Sequence, residues 1–332
     1  MLLSIVIPHY NLPRELLERC IDSIIGQGIA TDDYEIIVVD DGSHEPPVWV
    51  ESLHPGTNIH LVTATHGGPG AARNHGIERA KGTYIEFVDA DDTIIPGNSY
   101  SQCLDKLRNE MPEILHFRYR VVTGTDTPNA KAKRRVTFSN TISGATFMKD
   151  FNLPGSPCRY FFRRSLALEK NIRFPENIFH EDEEFNTILH FHARTLVHSD
   201  ATLYNYCIRK GSTTANSSQE FETKRIDDML HIIERLVNFR NTLQSCSKLQ
   251  ERAFAHKLTM LTVDAIRNML YNGMSATAIH DRCHGELAPL GLYPLPRAPY
   301  STKYRIFRIL ANSKCGMRAL RAIQPSHKPA KR

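Results

Sequence analysis

The sequence has few of the features that mark secreted, metal-chelating or membrane-spanning proteins. Its seven cysteines are all isolated, with no Cys-x-x-Cys pair, which argues against a disulfide framework or a zinc site. No apolar run is long enough to cross a bilayer, and no leader precedes the first predicted strand. No repeat or low-complexity tract interrupts the 332 residues. We therefore expect an ordinary globular protein of one large domain or two, with reduced thiols in the cytoplasm.

Acidic residues are absent from residues 300–332, although the net charge of the whole chain is only +5. Lys and Arg are frequent there, an imbalance that suits anionic partners such as phosphates or an acidic membrane surface. No recognition motif accompanies these charges, so we expect no nucleic-acid partner. Residues 304–310 and 317–323 are basic and amphipathic. They predict helices that either contact an anionic membrane or pack on the protein, ahead of a basic tail.

The first 120 residues alternate strands with helices. Five apolar runs predict strands at Leu3–Ile7, Glu35–Val39, Ile59–Val62, Tyr84–Val88 and Ile114–Tyr119. Apolar residues at helical spacing predict a helix from Pro13 to Gly26. Short connections and largely apolar, buried runs predict a mostly parallel sheet covered by helices on both faces. Residues 121–140 are polar and basic and predict a mobile loop, and residues 221–274 have a helical pattern.

Carboxylates directly follow two of the predicted strands. Asp40 and Asp41 end one of them, and Asp89, Asp91 and Asp92 follow another. Ligands of open α/β sheets bind at these strand ends. Clustered carboxylates repel one another unless a cation separates them, and Mg²⁺ or Mn²⁺ takes one or two carboxylates together with phosphate oxygens. A carboxylate on the earlier strand could accept a hydrogen bond from N3–H of uracil. The alternative for residues 89–92 is a solvated acidic turn, and the alternative for Asp40 and Asp41 is an Asp-Gly turn without any function.

A glycine-rich loop at residues 66–76 runs into a predicted helix. Gly68 and Gly70 form Gly-x-Gly, but Arg73 stands where a dinucleotide fingerprint has its third glycine. The loop allows close approach of a ligand, and Arg73 can reach a pyrophosphate. A capped helix start packed on the sheet is the alternative.

Residues 180–184, His-Glu-Asp-Glu-Glu, form an acidic run. Crowded carboxylates raise one another's proton affinity, which suits a general base that operates near neutral pH. An acidic helix start that complements the helix dipole is the alternative. A zinc-protease interpretation fails, because H-E-x-x-H would need a histidine in place of Glu184.

In this order the motifs resemble family 2 glycosyltransferases of the GT-A fold. The resemblance rests on residues 4–11, 35–43, 70–76 and 82–92, and shorter motifs extend it to residue 214. It implies an α/β fold with a Rossmann-like, mostly parallel sheet flanked by helices. A GT-A catalytic domain would span 1–214, with a nucleotide-sugar half at about 1–120 and an acceptor half at about 121–214. Residues 215–332 would form a helical C-terminal region.

The resemblance also implies a hexosyltransferase-type enzyme. It would move a sugar, with inversion, from a UDP-sugar to a glycan or lipid-linked glycan acceptor in polysaccharide biosynthesis. Asp182 would be the general base, with Glu181 as its catalytic neighbour, and Asp91 with Asp89 would bind Mn²⁺ or Mg²⁺. Tyr10 would lie against the base and Asp41 would bind uracil. The implied nucleotide-binding residues are Pro8, Tyr10, Asp40, Asp41, Arg73, Asp89, Arg209 and Ser212.

The sequence departs from the family pattern at Cys158, where the family has an aromatic residue, and this leaves the acceptor open. A sugar-nucleotide nucleotidyltransferase or dehydrogenase on a similar sheet is one alternative function, and a catalytically silent sugar-nucleotide-binding module is another. Metal-dependent release of UDP separates the first interpretation from both, whereas NAD binding favours the dehydrogenase. We expect a cytoplasmic protein, with peripheral contact to the inner face of the membrane if residues 300–332 bind lipid.

Overall fold

A computed structural model describes residues 1–123, 135–151, 155–209 and 218–323. The chain divides into two compact units. The first comprises Met1–Phe147 and Pro154–Ser212, and the second comprises Met148–Leu153 and Thr213–Arg332.

The described part of the first unit contains an eight-stranded sheet. Its strands are β1 (Leu3–His9), β2 (Tyr34–Asp40), β3 (Ile59–Thr63), β4 (Tyr84–Phe87), β5 (Thr93–Ile94), β6 (Ile114–Thr123), β7 (Tyr160–Arg163) and β8 (Leu196–Ile208). They lie in the order β3-β2-β1-β4-β7-β6-β8-β5. Strands β3, β2, β1 and β4 pair with their neighbours in parallel, and β6 pairs in parallel with β8. Strand β7 pairs antiparallel with β4 and with β6, and β5 pairs antiparallel with β8. The five predicted strands are confirmed, and β5, β7 and β8 are additions to them.

Helices cover this sheet and connect its strands. They are α1 (Arg14–Ile25), α2 (Val50–Leu53), α3 (Gly68–Arg79), α4 (Asn98–Glu110), α5 (Gly144–Asp150), α6 (Arg164–Glu169) and α7 (Glu181–His192), with a 3₁₀ turn at Thr31–Asp33. The predicted helix between the first two strands is confirmed as α1, which follows Pro13 and ends at Gly26. It buries one stripe of side chains, as its apolar spacing predicts.

Close packing fixes α3 and α7 on the sheet. A Cβ atom on Gly76 would lie 2.2 Å from a methyl carbon of Val6, so α3 can approach β1 this closely only with glycine there. On α7, the ring of Phe185 stacks on that of Phe174 with centroids 3.9 Å apart, and both rings contact Phe87 of β4 edge-on. Truncating such a buried ring to alanine costs about 3–5 kcal/mol. The first turn of α7 is therefore held near the end of β4.

The order of the strands places a crevice at their carboxyl ends. The chain moves from β1 through β2 to β3 on one side and then returns to β4 on the other side of β1. Such a reversal leaves an opening outside the strand ends, where ligands of α/β sheets bind. The register pairs His9 with Asp40 and Val6 with Phe87, so the ends of β1, β2 and β4 border one opening.

The predicted basic loop at 121–140 is shorter than the sequence indicates. Strand β6 continues to Thr123, Val136 is buried, and Phe138 forms a bridge with Ser199. Hydrogen bonding to neighbouring strands therefore extends into a segment whose composition is that of a loop. Residues 124–134, which hold most of its Lys and Arg, lie outside the described residues.

The second unit is helical. Its helices are α8 (Gln219–Thr242), α9 (Lys248–Tyr271), α10 (Ala276–Arg282), α11 (Thr302–Ala311) and α12 (Lys314–Ile323), with a π-helical turn at Cys283–Leu287. The predicted helical stretch 221–274 contains two helices, because Ser247 begins α9 with a capping box to Gln250. In the described ranges, no helix is long and apolar enough to cross a membrane.

Candidate active site

Asp40 joins the ends of β1 and β2. Its Oδ1 lies 3.1 Å from Nδ1 of His9, and its Oδ2 accepts the main-chain N–H of Ser43. The hydroxyl of Ser43 in turn accepts the N–H of Asn11. Asp40 is buried and Pro8, the residue before His9, is half-buried. These contacts favour a structural role for Asp40 over the predicted direct contact with a nucleotide.

Asp41 anchors the glycine-rich loop. Its Oδ1 accepts the N–H of Gly67 and its Oδ2 that of Gly68, both at 2.9 Å, and Nδ1 of His66 lies 2.8 Å from Oδ2. Gly68 has a φ of +84°, a conformation that glycine adopts readily. A carboxylate has about four acceptor sites, so these three contacts leave room for one further donor. Asp41 can thus hold the loop and still accept a hydrogen bond at the opening.

An aromatic pair lies beside Asp41. The rings of Tyr10 and His66 stack with centroids 4.2 Å apart and planes inclined by 21°. Tyr10 is 43% exposed, so one face of the pair is open to solvent. A flat ring next to a hydrogen-bonding carboxylate suits a planar heterocycle. Sequence reasoning selected Tyr10 and missed His66, whose place before Gly67 carried no chemical signal.

Arg73 connects the end of β4 with the start of α7. Its Nη2 lies 2.9 Å from Oδ1 of Asp89, and its Nη1 lies 2.9 Å from Oε1 of Glu181. The guanidinium also lies over the rings of Phe87 and Phe174. Burial acts to lower the pKa of Arg73, but the two carboxylates outweigh it and raise the pKa. Both terminal nitrogens are therefore engaged with protein groups, whereas the sequence predicted contact with a base or diphosphate.

Asp91 pairs with Arg209. The Nε atom of Arg209 lies 2.7 Å from Oδ2 of Asp91, and Arg19 donates to the main-chain oxygen of Asp91. The side chains of Asp89 and Asp91 are 32% and 21% exposed, so both remain reachable from solvent. Arg19 was not predicted, because nothing in its local sequence points to a contact 72 residues away. The predicted Ser212 lies outside the described residues.

Asp92 faces the interior. Its Oδ2 accepts the hydroxyl of Tyr204 at 2.7 Å, and its Oδ1 accepts the N–H of Cys207. Burial, with the nearby charge of Asp89, raises the pKa of Asp92 to about 8. These contacts give Asp92 a structural role in the interior, and it caps no helix, because the next helix begins only at Asn98.

The donor set at the end of β4 fits a cation that phosphate oxygens complete. Within the described ranges, no three His, Cys, Asp or Glu side chains form a metal-binding group. Asp89 and Asp91 still offer two partly exposed carboxylates, with Arg73 and Arg209 beside them. Mg²⁺ and Mn²⁺ bind through one or two carboxylates together with substrate phosphates and water. The residues fit a cation that arrives with a diphosphate, and they do not fit an all-protein cage.

Two carboxylates in the first turn of α7, those of Glu181 and Asp182, differ in how deeply they are buried. Glu181 is buried, and burial raises its pKa although Arg73 acts in the opposite direction. Asp182 is half-buried and borders Gly155. A Cβ atom at Gly155 would come within 2.7 Å of Glu183 and 3.4 Å of Asp182, so glycine at this position leaves room for the two carboxylates. Glu181 supports Arg73, whereas Asp182 is the better placed of the two to meet a ligand.

The model of glycosyl transferase family 2 matches residues 4–171. The chain belongs to this family. The match confirms the family that the motifs predict and, with it, the enzyme class, glycosyltransferases.

Three individual matches extend the comparison. The poly(ribitol-phosphate) beta-glucosyltransferase of Bacillus spizizenii is 30% identical over 63% of this chain and 33% of its own length. The structure of Staphylococcus aureus TarS 1–349 with UDP-GlcNAc has a TM-score of 0.71 at 20% identity, and covers 97% of this chain and 91% of that one. The mannosyltransferase PcManGT of Pyrobaculum calidifontis, with GDP-Man and Mn²⁺, has a TM-score of 0.55 at 15% identity, with 97% and 86% covered.

These likenesses establish the fold of this glycosyltransferase. The predicted GT-A architecture with a helical C-terminal region is confirmed by the TarS structure. The chain spans between one-third and about two-thirds of the length of the curated relatives that it matches first.

Proposed function

We propose that this chain is an inverting glycosyltransferase that moves one sugar from a UDP-sugar to a glycan or lipid-linked glycan acceptor in polysaccharide biosynthesis. The observation that carries the proposal is the bridge that Arg73 forms between Asp89 and Glu181. This bridge holds the carboxylates at the end of β4 next to the helix that bears Asp182. A donor diphosphate and an acceptor hydroxyl can therefore meet between them.

The proposed donor site lies between Tyr10 and Asp41. The exposed face of the Tyr10–His66 pair offers a stacking surface, and the remaining acceptor capacity of Asp41 suits N3–H of uracil. Guanine and adenine do not present that donor in the same place, so UDP is the expected nucleotide. The likeness to TarS, solved with UDP-GlcNAc, supports a UDP-sugar donor.

Asp182 is the proposed general base. Inversion in one displacement needs a base that takes the proton of the acceptor hydroxyl on the side opposite the leaving group. Glu181 is bound to Arg73 and buried, so it positions Arg73 and leaves the proton transfer to its neighbour. The proton of the acceptor hydroxyl moves to a carboxylate oxygen of Asp182 as the new glycosidic bond forms and the sugar–diphosphate bond breaks.

Asp91, together with Asp89, is the proposed binding site for Mn²⁺ or Mg²⁺. Such a cation, when bound, neutralises the charge that develops on the departing diphosphate. The Mn²⁺ in the PcManGT structure supports this proposal. Calorimetry of UDP binding with and without Mn²⁺ tests it in Asp91→Ala, which should lose the metal-linked part of the affinity. Undiminished metal-linked affinity would refute the assignment.

The second unit has a helix suited to the surface of an anionic membrane. On α11, Tyr304 and Ala311 are buried, whereas Ile306 and Ile309 on the opposite side are 54% and 57% exposed. Arg305 lies beside them, and α11 contains no acidic residue. Exposed aliphatic side chains flanked by cations are typical of helices that lie in the lipid interface. We therefore propose a cytoplasmic enzyme in peripheral contact with the inner face of the membrane.

Vesicle sedimentation tests the membrane proposal. The full chain should bind vesicles containing anionic phospholipid, and binding should fall as salt rises, because the attraction decays within a Debye length. Replacing both Ile306 and Ile309 with serine should reduce binding at every salt concentration. Equal binding to neutral and anionic vesicles, or wild-type binding by the double variant, would leave packing as the only role of α11.

Release of UDP tests the central proposal. A panel of UDP-sugars is incubated with the full chain, with and without Mn²⁺ and with glycan acceptors. We expect one UDP-sugar to release UDP in a metal-dependent and acceptor-stimulated reaction. Binding of UDP-sugars without any release, at all metal and acceptor conditions, would favour a silent binding module.

A further inference from the structure

A basic surface of the first unit is formed by Arg118 and Tyr119 on β6 and by Arg159, just before β7; we name it the Arg159 patch. The guanidinium of Arg159 lies over the ring of Tyr119, 4.3 Å from its centroid. Among the residues that the structure describes, neither Arg118 nor Arg159 forms an ion pair with an Asp or Glu, and the buried Nε of Arg159 has no hydrogen-bond partner. A half-buried cation in this state retains hydrogen-bond donors for an anion.

The main chains of the two arginines lie close to each other, because the N–H of Phe117, the residue before Arg118, donates to the main-chain oxygen of Arg159 at 3.0 Å. Burial lowers the pKa of His198, and the charges of Arg118 and Arg159 lower it further, while Asp200 acts in the opposite direction. Both arginines therefore contribute positive charge to the same part of the surface. Burial also lowers the pKa of Arg159 itself, although an arginine remains charged at neutral pH. The patch is cationic, with an aromatic ring at its centre.

The Arg159 patch continues from the candidate active site. Tyr119 pairs in register with Tyr204 of the parallel strand β8, directly after a register shift between Arg118 and Tyr119, so the main chains of the two tyrosines lie about 5 Å apart. The hydroxyl of Tyr204 accepts the N–H of Asp89 at 3.1 Å. On the other side, Tyr160 donates to the side chain of Asn186 on α7, four residues beyond Asp182. The residues next to the patch, Tyr204 on β8 and Tyr160 on β7, thus connect it to the end of β4 and to the helix of the proposed base.

We infer that the Arg159 patch binds phosphate groups of the acceptor, so that the acceptor is a glycan or polyol chain carrying phosphate. The inference rests on the proposed sugar transfer and names its acceptor class. A guanidinium presents donors in a planar fork that matches phosphate oxygens, whereas a neutral glycan leaves the charge of Arg159 uncompensated. Tyr119, 40% exposed, offers a flat apolar face to a sugar or polyol. The relative from Bacillus spizizenii, named for a poly(ribitol-phosphate) substrate, agrees with this chemistry.

Calorimetry on the full chain tests the inference. The chain is first saturated with UDP, so that added phosphate groups do not report on the donor site. It is then titrated with a ribitol-phosphate oligomer, with a neutral oligosaccharide of similar length, and with micelles containing a polyprenyl pyrophosphate. The oligomer and the micelles distinguish a phosphodiester polymer from a lipid-linked pyrophosphate as the source of the phosphate.

We expect the wild-type chain to bind a phosphate-bearing probe and to ignore the neutral one. Arg159→Gln should weaken that binding about 10-fold or more, because a charge-assisted hydrogen bond is lost. Arg159→Lys keeps the charge and should restore part of the affinity. Arg79→Gln, at the exposed far end of α3, is the matched control and should bind as the wild type does. Unchanged UDP affinity in Arg159→Gln shows that the variant is folded.

Two results would overturn the inference: equal affinity of the wild-type chain for neutral and phosphate-bearing probes, or wild-type affinity in Arg159→Gln. Failure to bind any phosphate-bearing probe would count against it in the same way. The proposed function fails separately, if no UDP-sugar releases UDP although the phosphate-bearing probe still binds. If the enzyme releases UDP but binds the neutral and phosphate-bearing probes equally, the inference is wrong and the proposed function still stands.

Discussion

Replacing Arg73 with methionine should destabilise the first unit strongly. Arg73 is 5% exposed and lies between Asp89 and Glu181, whose side chains are 32% and 12% exposed. Removing one partner of a buried ion pair costs about 3–5 kcal/mol, since the remaining charge stays buried. Asp89 is screened by solvent, so the cost comes mainly from Glu181, and we expect about 3 kcal/mol. Methionine preserves the length and apolar stem that pack against Phe87, which isolates the effect of the charge.

Urea unfolding followed by tryptophan fluorescence measures this cost. The single tryptophan of the chain, Trp49, lies in the first unit and so reports on the unit that holds Arg73. Arg173→Met is the matched control, because Arg173 forms an exposed pair with Glu78 and should cost below about 1 kcal/mol. Adding Glu181→Met to Arg73→Met removes the unpaired charge and should recover part of the loss.

The pH dependence sharpens the same prediction. Burial already raises the pKa of Glu181, and the loss of Arg73 should raise it further. A folded-state pKa above the unfolded one means that the folded state binds more protons, so the variant should gain stability as pH falls. The cost of Arg73→Met should therefore be smaller at pH 5 than at pH 8. A cost equal to that of Arg173→Met, or a double variant less stable than Arg73→Met, would refute the reasoning.

Four further predictions concern single side chains. Asp182→Asn should lower kcat by a factor of roughly 10²–10⁴ with donor binding nearly intact. Glu181→Gln should bind the donor and retain more activity than Asp182→Asn. An active Asp182→Asn together with an inactive Glu181→Gln would show that the base is misassigned. Asp41→Asn should reduce the preference for UDP over GDP and ADP by about 1.5–3 kcal/mol in competition assays. An unchanged preference would show that Asp41 does not recognise uracil. Burial raises the pKa of Glu86 to about 8, so the free energy of unfolding should fall by up to about 1.4 kcal/mol per pH unit as pH rises from about 4.5 towards 8. Glu86→Gln should reduce this slope when the free energy of unfolding in urea is measured at each pH. An unaltered slope would contradict the raised pKa of Glu86. Arg209→Gln removes the cation that pairs with Asp91, a ligand of the proposed metal site. Calorimetry should then show tighter Mn²⁺ binding without UDP and weaker binding of UDP without Mn²⁺. Changes of both affinities in the same direction would argue against the proposed site.

Local patterns predicted the half of the sheet whose strands follow one another in the chain. Strands β1 and β2 are mostly apolar because both faces are buried, and such runs are visible in the sequence without knowledge of the neighbouring strand. Strand β7 has only four residues, and it pairs with residues 44 to 79 positions away in the chain. Pairing at that separation depends on tertiary packing and leaves no periodic signal in the sequence. The antiparallel insertion of β7 between β4 and β6 was therefore outside the reach of sequence reasoning.

The ion pairs of the candidate site could not be predicted from the sequence either. Sequence reasoning placed Asp41, Asp89 and Asp91 at strand ends correctly, because a carboxylate after an apolar run marks the end of a strand. It treated them as ligands awaiting a partner. In the folded chain, Arg73 meets a carboxylate 108 residues away and Arg209 meets one 118 residues away. Which cation a carboxylate meets is decided by the tertiary fold, and residue spacing in the chain carries no record of it.

The charges of the site are balanced by the protein itself, and this balance explains how the acids can coexist without a ligand. Asp89 and Asp91 each lie 2.7–2.9 Å from a guanidinium nitrogen, and Asp92 holds hydrogen bonds from Tyr204 and a main-chain amide. A donor diphosphate with a divalent cation adds charges of both signs at once. The anion can take over the arginine donors while the cation takes over the carboxylates, so little net charge has to be brought into the opening. A free nucleotide would replace only the carboxylates as partners of the arginines, and a free cation would replace only the arginines as partners of the carboxylates. The arrangement therefore favours binding of the two together.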